Sequence, residues 1–161
     1  MKLYSLESYD DDFTLKVSPG SAFWLAFLCR ALVIMPFDLY FKKKSFDFMG
    51  IFYATNVHLS VAVISALPTL AVLVAWIRRH SSAGSVPRFI WANGKSLLIV
   101  SAILNLLGIL WSVTSRESIS NLDLTQIVLS FSCLFYVLRS QRLRDTFLSF
   151  PALSESGGKQ R

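Results

Sequence analysis

Hydrophobic positions along this chain gather into four long runs separated by short polar segments. The first is 21–41, SAFWLAFLCRALVIMPFDLYF; the others cover about 59–77, 96–113 and 122–138. Each approaches the roughly 20 apolar residues that carry a helix across a bilayer. The pattern predicts an all-α, polytopic membrane protein with four transmembrane helices and short loops. It divides the chain into a polar, acidic lead (1–20), a transmembrane domain (21–138) and a basic tail (139–161).

Each run carries its own punctuation. Pro19 suits a helix entry, where its missing N–H costs nothing. Pro36 inside the first run removes a helical hydrogen bond and predicts a kink there, and Lys42, Lys43 and Lys44 end the run. Phe48, Met49, Phe52 and Tyr53 recur at helical spacing, so 46–57 reads as a short interfacial helix in preference to an extension of the second run. The second run has no charge. Its Ala62, Ala66 and Thr69 form a small-residue face for close helix approach, and Pro68 should bend it. Trp76, Arg78 and Arg79 mark an interface, 80–95 reads as a hydrophilic loop, and Trp91 should anchor the next helix at headgroup depth.

In the third run, Ser101, Asn105, Gly108 and Ser112 fall within a stripe about 60° wide at 100° per residue. That stripe should face protein and the Leu, Ile and Val faces lipid. The segment 114–121 is short, so the third and fourth runs should be antiparallel neighbours, with Asp123 at the entrance of the fourth. In the tail, Leu143, Phe147 and Phe150 at helical spacing beside Arg139, Arg142 and Arg144 predict an amphipathic surface helix over 139–150. The final SESGGKQR should be disordered.

Composition sharpens the membrane reading. Hydrophobic residues make up 53% of the 161, the mean hydropathy is +0.51, and only 16% are charged, against about 25% in soluble domains. The net charge of +6 comes from basic residues that mostly flank the apolar runs. That placement fits loop retention and anionic lipid near Arg139, Arg142 and Arg144, and argues against nucleic acid. The first 20 residues hold Glu7, Asp10, Asp11 and Asp12 and lack the apolar core of a signal peptide, so the first run should be retained as an anchor. Cys29 and Cys133 both lie inside apolar runs, where a thiol behaves as a small apolar group and a disulfide is not expected. Basic residues in the lead, the middle loop and the tail outnumber Lys42–Lys44 and Arg116 in the other two loops. Both termini should therefore be cytoplasmic.

The lead YDDDFTLKVSPG, Trp24 and Arg30 in the first run, Pro68 in the second and Arg78-Arg79 after it resemble the YfeZ-like inner-membrane proteins, small bacterial proteins of unknown function. The similarity spans most of 9–113. It implies a bacterial inner membrane and a four-helix architecture, and it supplies no catalytic residues.

Arg30 is the sharpest chemical feature. A central arginine costs about 2.5–3.5 kcal/mol on insertion scales. It either binds an anion or lines a polar path, or it pairs within the bundle or snorkels. Asn105 lies mid-run; its amide oxygen can accept from Arg30, and it reads as a hydrogen-bonded link between helices. Asp38 is too far along the helix for direct contact with Arg30 and should sit near Lys42, at i+4. Gly94-Lys95-Ser96 lacks the glycine of a phosphate loop, Phe89 standing in its place. His58 and His80 lack further ligands at metal spacing. The intramembrane serines have no histidine base beside them. No cofactor and no enzymatic activity is expected. The first functional reading is a non-enzymatic membrane protein that binds a membrane-protein partner or a second copy of itself, or that serves structurally. The alternative is a small transporter or channel subunit using Arg30, with Asn105, as an anion or polar-pathway site.

Overall fold

The computed structural model describes residue 9 and residues 14–41, 48–53, 56–80, 82–115 and 119–151. Eight helices occupy these residues: α1 (Pro19–Leu28), α2 (Arg30–Phe41), α3 (Phe48–Phe52), α4 (Asn56–Ile77), α5 (Ser85–Ala92), α6 (Gly94–Thr114), α7 (Asn121–Arg139) and α8 (Gln141–Leu148). Tyr9 and Leu15 form an isolated bridge, and no strand occurs among the described residues.

Three helices, α4, α6 and α7, are long and apolar enough to cross a membrane. The pair α1 and α2 passes the same test as one span bent by 55°. Its first half meets the far end of α7, where Ser18 Oγ and Ser21 Oγ lie 3.1 Å from Tyr136 Oη. Its second half meets the start of α4, where Ala31 and Ile34 pack with Tyr53 and Ala62. The pair therefore runs from one end of the bundle to the other.

The bend is not at Pro36, as expected, but seven residues earlier at Cys29, whose φ of −85° and ψ of 1° leave the helical region. Pro36 lies inside a continuous α2. The reason lies in backbone hydrogen bonding. A break in hydrocarbon is tolerated only where freed carbonyls find donors. At Cys29 one donor is the next side chain, because Arg30 Nη1–H donates back to Phe27 O at 3.0 Å. In α4 the chain continues unbroken through Pro68.

The bundle is polar inside and aliphatic outside. Ser65, Thr69, Ser101, Asn105, Ser112, Gln126 and Ser130 are buried, while Ile64, Leu67, Val100, Leu107, Val128 and Phe135 are exposed. A soluble monomer rarely exposes so extensive an apolar surface; the arrangement suits lipid as solvent. α4 and α6 make the most extensive pairing. Ala62, Ala66 and Thr69 of α4 are buried in the bundle, as is the Ser101, Asn105, Gly108 and Ser112 stripe of α6. Thr69 Oγ1–H donates to Ser101 Oγ at 2.7 Å, and Ser101 Oγ–H to Ser65 O. Approach is so close that a Cβ on Gly108 would lie 2.5 Å from Val61 Cγ1. α7 opens with a capping box: Ser120 Oγ accepts from Leu122 N–H, and the Asp123 carboxylate accepts from Ser120 N–H.

Three expectations need correction. The 80–95 segment is not all loop, since it contains α5, and Trp91 is buried by protein and does not project into the surroundings. The apolar face of the tail helix is covered by protein, not lipid: Leu143 and Phe147 belong to the core with Trp91 and Leu98. Between α2 and α4, the described residues of the 46–57 segment form α3 and the start of α4, and Tyr53 turns inward against Ala31 and Ala62 instead of facing headgroups. In each case an apolar face found protein to cover it, which removes more surface from water than a shallow position among headgroups. Asp38 is buried, while Lys42, Asp47, Arg116 and the final SESGGKQR lie outside the described residues.

Candidate functional site

Arg30 opens α2 immediately after the break, and the turn at Cys29 aims its side chain into the bundle. One guanidinium nitrogen, Nη2, donates to Asn105 Oδ1 at 3.1 Å and to Gln126 Oε1 at 3.0 Å. The other, Nη1, donates to Phe27 O. The guanidinium carbon lies 4.4 Å from the centroid of the Phe27 ring, a cation–π contact. Nε is buried and has no hydrogen-bond partner among the described residues. One side chain thus joins α1, α6 and α7.

The acceptors are themselves held. Asn105 Nδ2–H donates to Ser130 Oγ at 2.9 Å, and Ser130 Oγ–H donates to the backbone oxygen of Gln126 at 2.7 Å. Gln126 Nε2–H reaches Phe52 O at 3.4 Å, which ties α7 to α3. Tyr53 is buried beside this group, edge-on to His58 at 5.2 Å between ring centroids. Its hydroxyl has no hydrogen-bond partner among the described residues. Burial pushes the Tyr53 phenol above its usual range, against the opposing pull of Arg30.

Energetically the cluster is close to balance. A mid-span arginine costs about 2.5–3.5 kcal/mol. Each interhelical hydrogen bond returns about 0.6–2 kcal/mol, and Arg30 donates two, to Asn105 and Gln126, besides the local one to Phe27 O. The hydrogen-bond partners of Arg30 are a backbone carbonyl and two amide oxygens, so the positive charge is solvated by dipoles. Cavities of about 450, 310 and 410 Å³ open beside Arg78–Pro87, at Pro36–Phe41 and between α1 and α7. None of these three is lined by Arg30.

The structure therefore brings together the two polar residues singled out from sequence, Arg30 and Asn105, and adds Gln126 and Ser130. The missed pair had a legible signal. Gln126, Ser130, Cys133 and Val137 repeat the i, i+4, i+7, i+11 spacing of Ser101, Asn105, Gly108 and Ser112, and all four are buried. Two matching stripes on antiparallel neighbours mark facing surfaces.

A second polar group lies at the other end of the bundle. Arg79 donates to Leu15 O at 3.0 Å and to Ser149 O at 2.9 Å, and its guanidinium lies 4.8 Å from the Trp91 ring centroid. Trp91 Nε1–H points at Thr146 O and Ser149 O, at 3.1 and 3.2 Å. Arg88 donates to Pro151 O at 3.0 Å. These contacts fasten the segment after α8 beneath α5.

The chain belongs to a family described as "Protein of unknown function (DUF2919)", whose model matches residues 4–149. No curated protein matches the chain. No solved structure matches it either.

Proposed function

We propose that this member of a family of unknown function is a non-enzymatic, structural protein of a bacterial inner membrane, similar to the YfeZ-like proteins, with both termini in the cytoplasm. The observation that carries this reading is the use of Arg30. Three of its hydrogen bonds go to Phe27 O, Asn105 and Gln126, so its charge serves to close a helix break and fasten three helices. The small-residue faces of α4 and α6 are turned inward within this chain, so an outside protein partner or second copy would have to dock on the aliphatic surface.

A second reading, an anion or polar-pathway site in a transporter or channel subunit, draws on one observation. Arg30 Nε is buried and unpaired among the described residues, and the partners of the other two nitrogens carry no negative charge. Thermal melts separate the two. The samples are wild type, Arg30→Met, Asn105→Leu and the double variant, each with and without chloride or phosphate. A structural Arg30 makes Arg30→Met less stable, because removing one partner orphans buried oxygens at about 1–3 kcal/mol. The double variant should regain part of that loss, and anions should have no effect. Anion stabilisation present in wild type and absent in Arg30→Met would overturn the structural reading.

A further inference from the structure

Between α1 and α7, close to the end of the bundle where both chain segments emerge, lies an open groove of about 410 Å³. Trp24, Phe135 and Tyr136 form its aromatic walls. Ser132 lies on α7 deeper in the span, and Arg139 and Ser140 stand at the mouth. The walls are held in place. Tyr136 Oη meets Ser18 Oγ and Ser21 Oγ at 3.1 Å each, and its ring lies 6.2 Å from that of Trp24. α1 and α7 are therefore joined at the groove itself, through one of its lining residues.

We propose that this groove binds one anionic phospholipid, with an acyl chain along Trp24, Ser132 and Phe135 and the headgroup phosphate at Arg139. The proposal rests on the bilayer reading given above. Three features choose the occupant. The groove runs from the aliphatic belt of the bundle up to the end of the α7 span, so apolar walls give way to a cation at headgroup depth. Arg139 is exposed at that mouth, and its positive charge complements a phosphate. Tyr and Trp side chains favour the same depth. The size also suits a small molecule: the volume falls in the roughly 300–1,000 Å³ range of ligand clefts. This site differs from the diffuse lipid attraction expected of an amphipathic tail, because the apolar side of that tail is occupied by protein.

The test uses the full chain in nanodiscs containing equal phosphatidylglycerol and phosphatidylcholine, with retained lipid counted by native mass spectrometry. Wild type should retain one phosphatidylglycerol in preference to phosphatidylcholine. Arg139→Gln should weaken that preference roughly fivefold, the size of one basic residue's attraction to an anionic surface, while Arg139→Lys keeps it. Ser132→Phe, which fills the groove from an exposed position on α7, should abolish retention while its melting temperature stays near that of wild type. Failure of the protein to enter nanodiscs would overturn the bilayer reading and this proposal together. Successful insertion with equal retention of both lipids, or undiminished phosphatidylglycerol retention in Ser132→Phe, would overturn the proposal alone. So would a dimer in which a second copy, not lipid, covers Trp24.

Discussion

At the scale of single residues, two glycines decide how closely elements approach. Gly108 lets α4 and α6 meet: a Cβ there would lie 2.5 Å from Val61 Cγ1. Valine is β-branched and has little rotamer freedom on a helix, so the conflict must move a backbone. Gly94, at the start of α6, is covered by the Phe147 ring, 2.2 Å from where a Cβ would stand. That ring is itself buried and 4.8 Å from Trp91, so it has no open space to enter. Overpacking of this kind costs about 1–3 kcal/mol. Gly108→Ala and Gly94→Ala should each lower the melting temperature of the detergent-solubilised protein, whereas Ile103→Leu, on the exposed side of α6, should leave it unchanged. Equal behaviour of Gly108→Ala and Ile103→Leu would mean that the stripe is not a packing surface.

At the scale of elements, α5 and α8 form a layer across the end of the bundle. α8 is capped by Ser140, whose Oγ accepts from Leu143 N–H at 3.1 Å, and is held through Trp91, Phe147 and Arg79. The docking should suppress local opening of the tail. Trypsin cleavage after Arg142 and Arg144 should therefore be slow in wild type and clearly faster in Trp91→Ala, which loses both the ring contact and the Nε1 donor. An unchanged rate would show that Trp91 does not hold the helix. This layer was also the least legible part of the chain. Leu143 and Phe147 announce an apolar face, but periodicity cannot say whether lipid or protein will cover it. α5 did leave a mark: Pro87, Ile90 and Trp91 at i, i+3 and i+4 follow Gly84, the cap, within a segment whose serines and glycine read as loop. The break at Cys29 left none, since it has neither proline nor glycine and depends on where Arg30 finds acceptors. The long apolar runs and the Ser101–Ser112 stripe, by contrast, were legible because membrane burial acts on every residue of a span and leaves a repeating pattern.

At the scale of the whole molecule, dimensions and charge settle what a topology experiment should find. α4, with 22 residues, and α6, with 21, are roughly 32–33 Å long at 1.5 Å per residue, which matches a hydrocarbon core of about 30 Å. The bent pair keeps pace because it reaches both ends of the bundle. The ends of α4 and α7 and the starts of α1 and α6 lie together, joined by Arg79 to Leu15 O and by Tyr136 to Ser18. Arg78, Arg79, Arg88, Lys95, Arg139, Arg142 and Arg144 therefore share one end. Basic residues near span ends are retained in the cytoplasm, so this end should face inward and the loop between α6 and α7 outward. By sequence, Lys42, Lys43 and Lys44 in the first loop count against that arrangement. Reporter fusions after Ser81 and after Gly158 should be active only as cytoplasmic reporters, and a fusion after Ser118 only as a periplasmic one. The inverted pattern would mean that the lysine triplet outweighs the larger cluster. A decisive variant follows: replacing Lys42–Lys44 by Gln should leave the wild-type pattern intact, because it removes the only opposing charge block in the first loop. Replacing Arg78, Arg79 and Arg88 by Gln should blur it. Sensitivity of the pattern to the lysines and indifference to the arginines would reverse the proposed orientation.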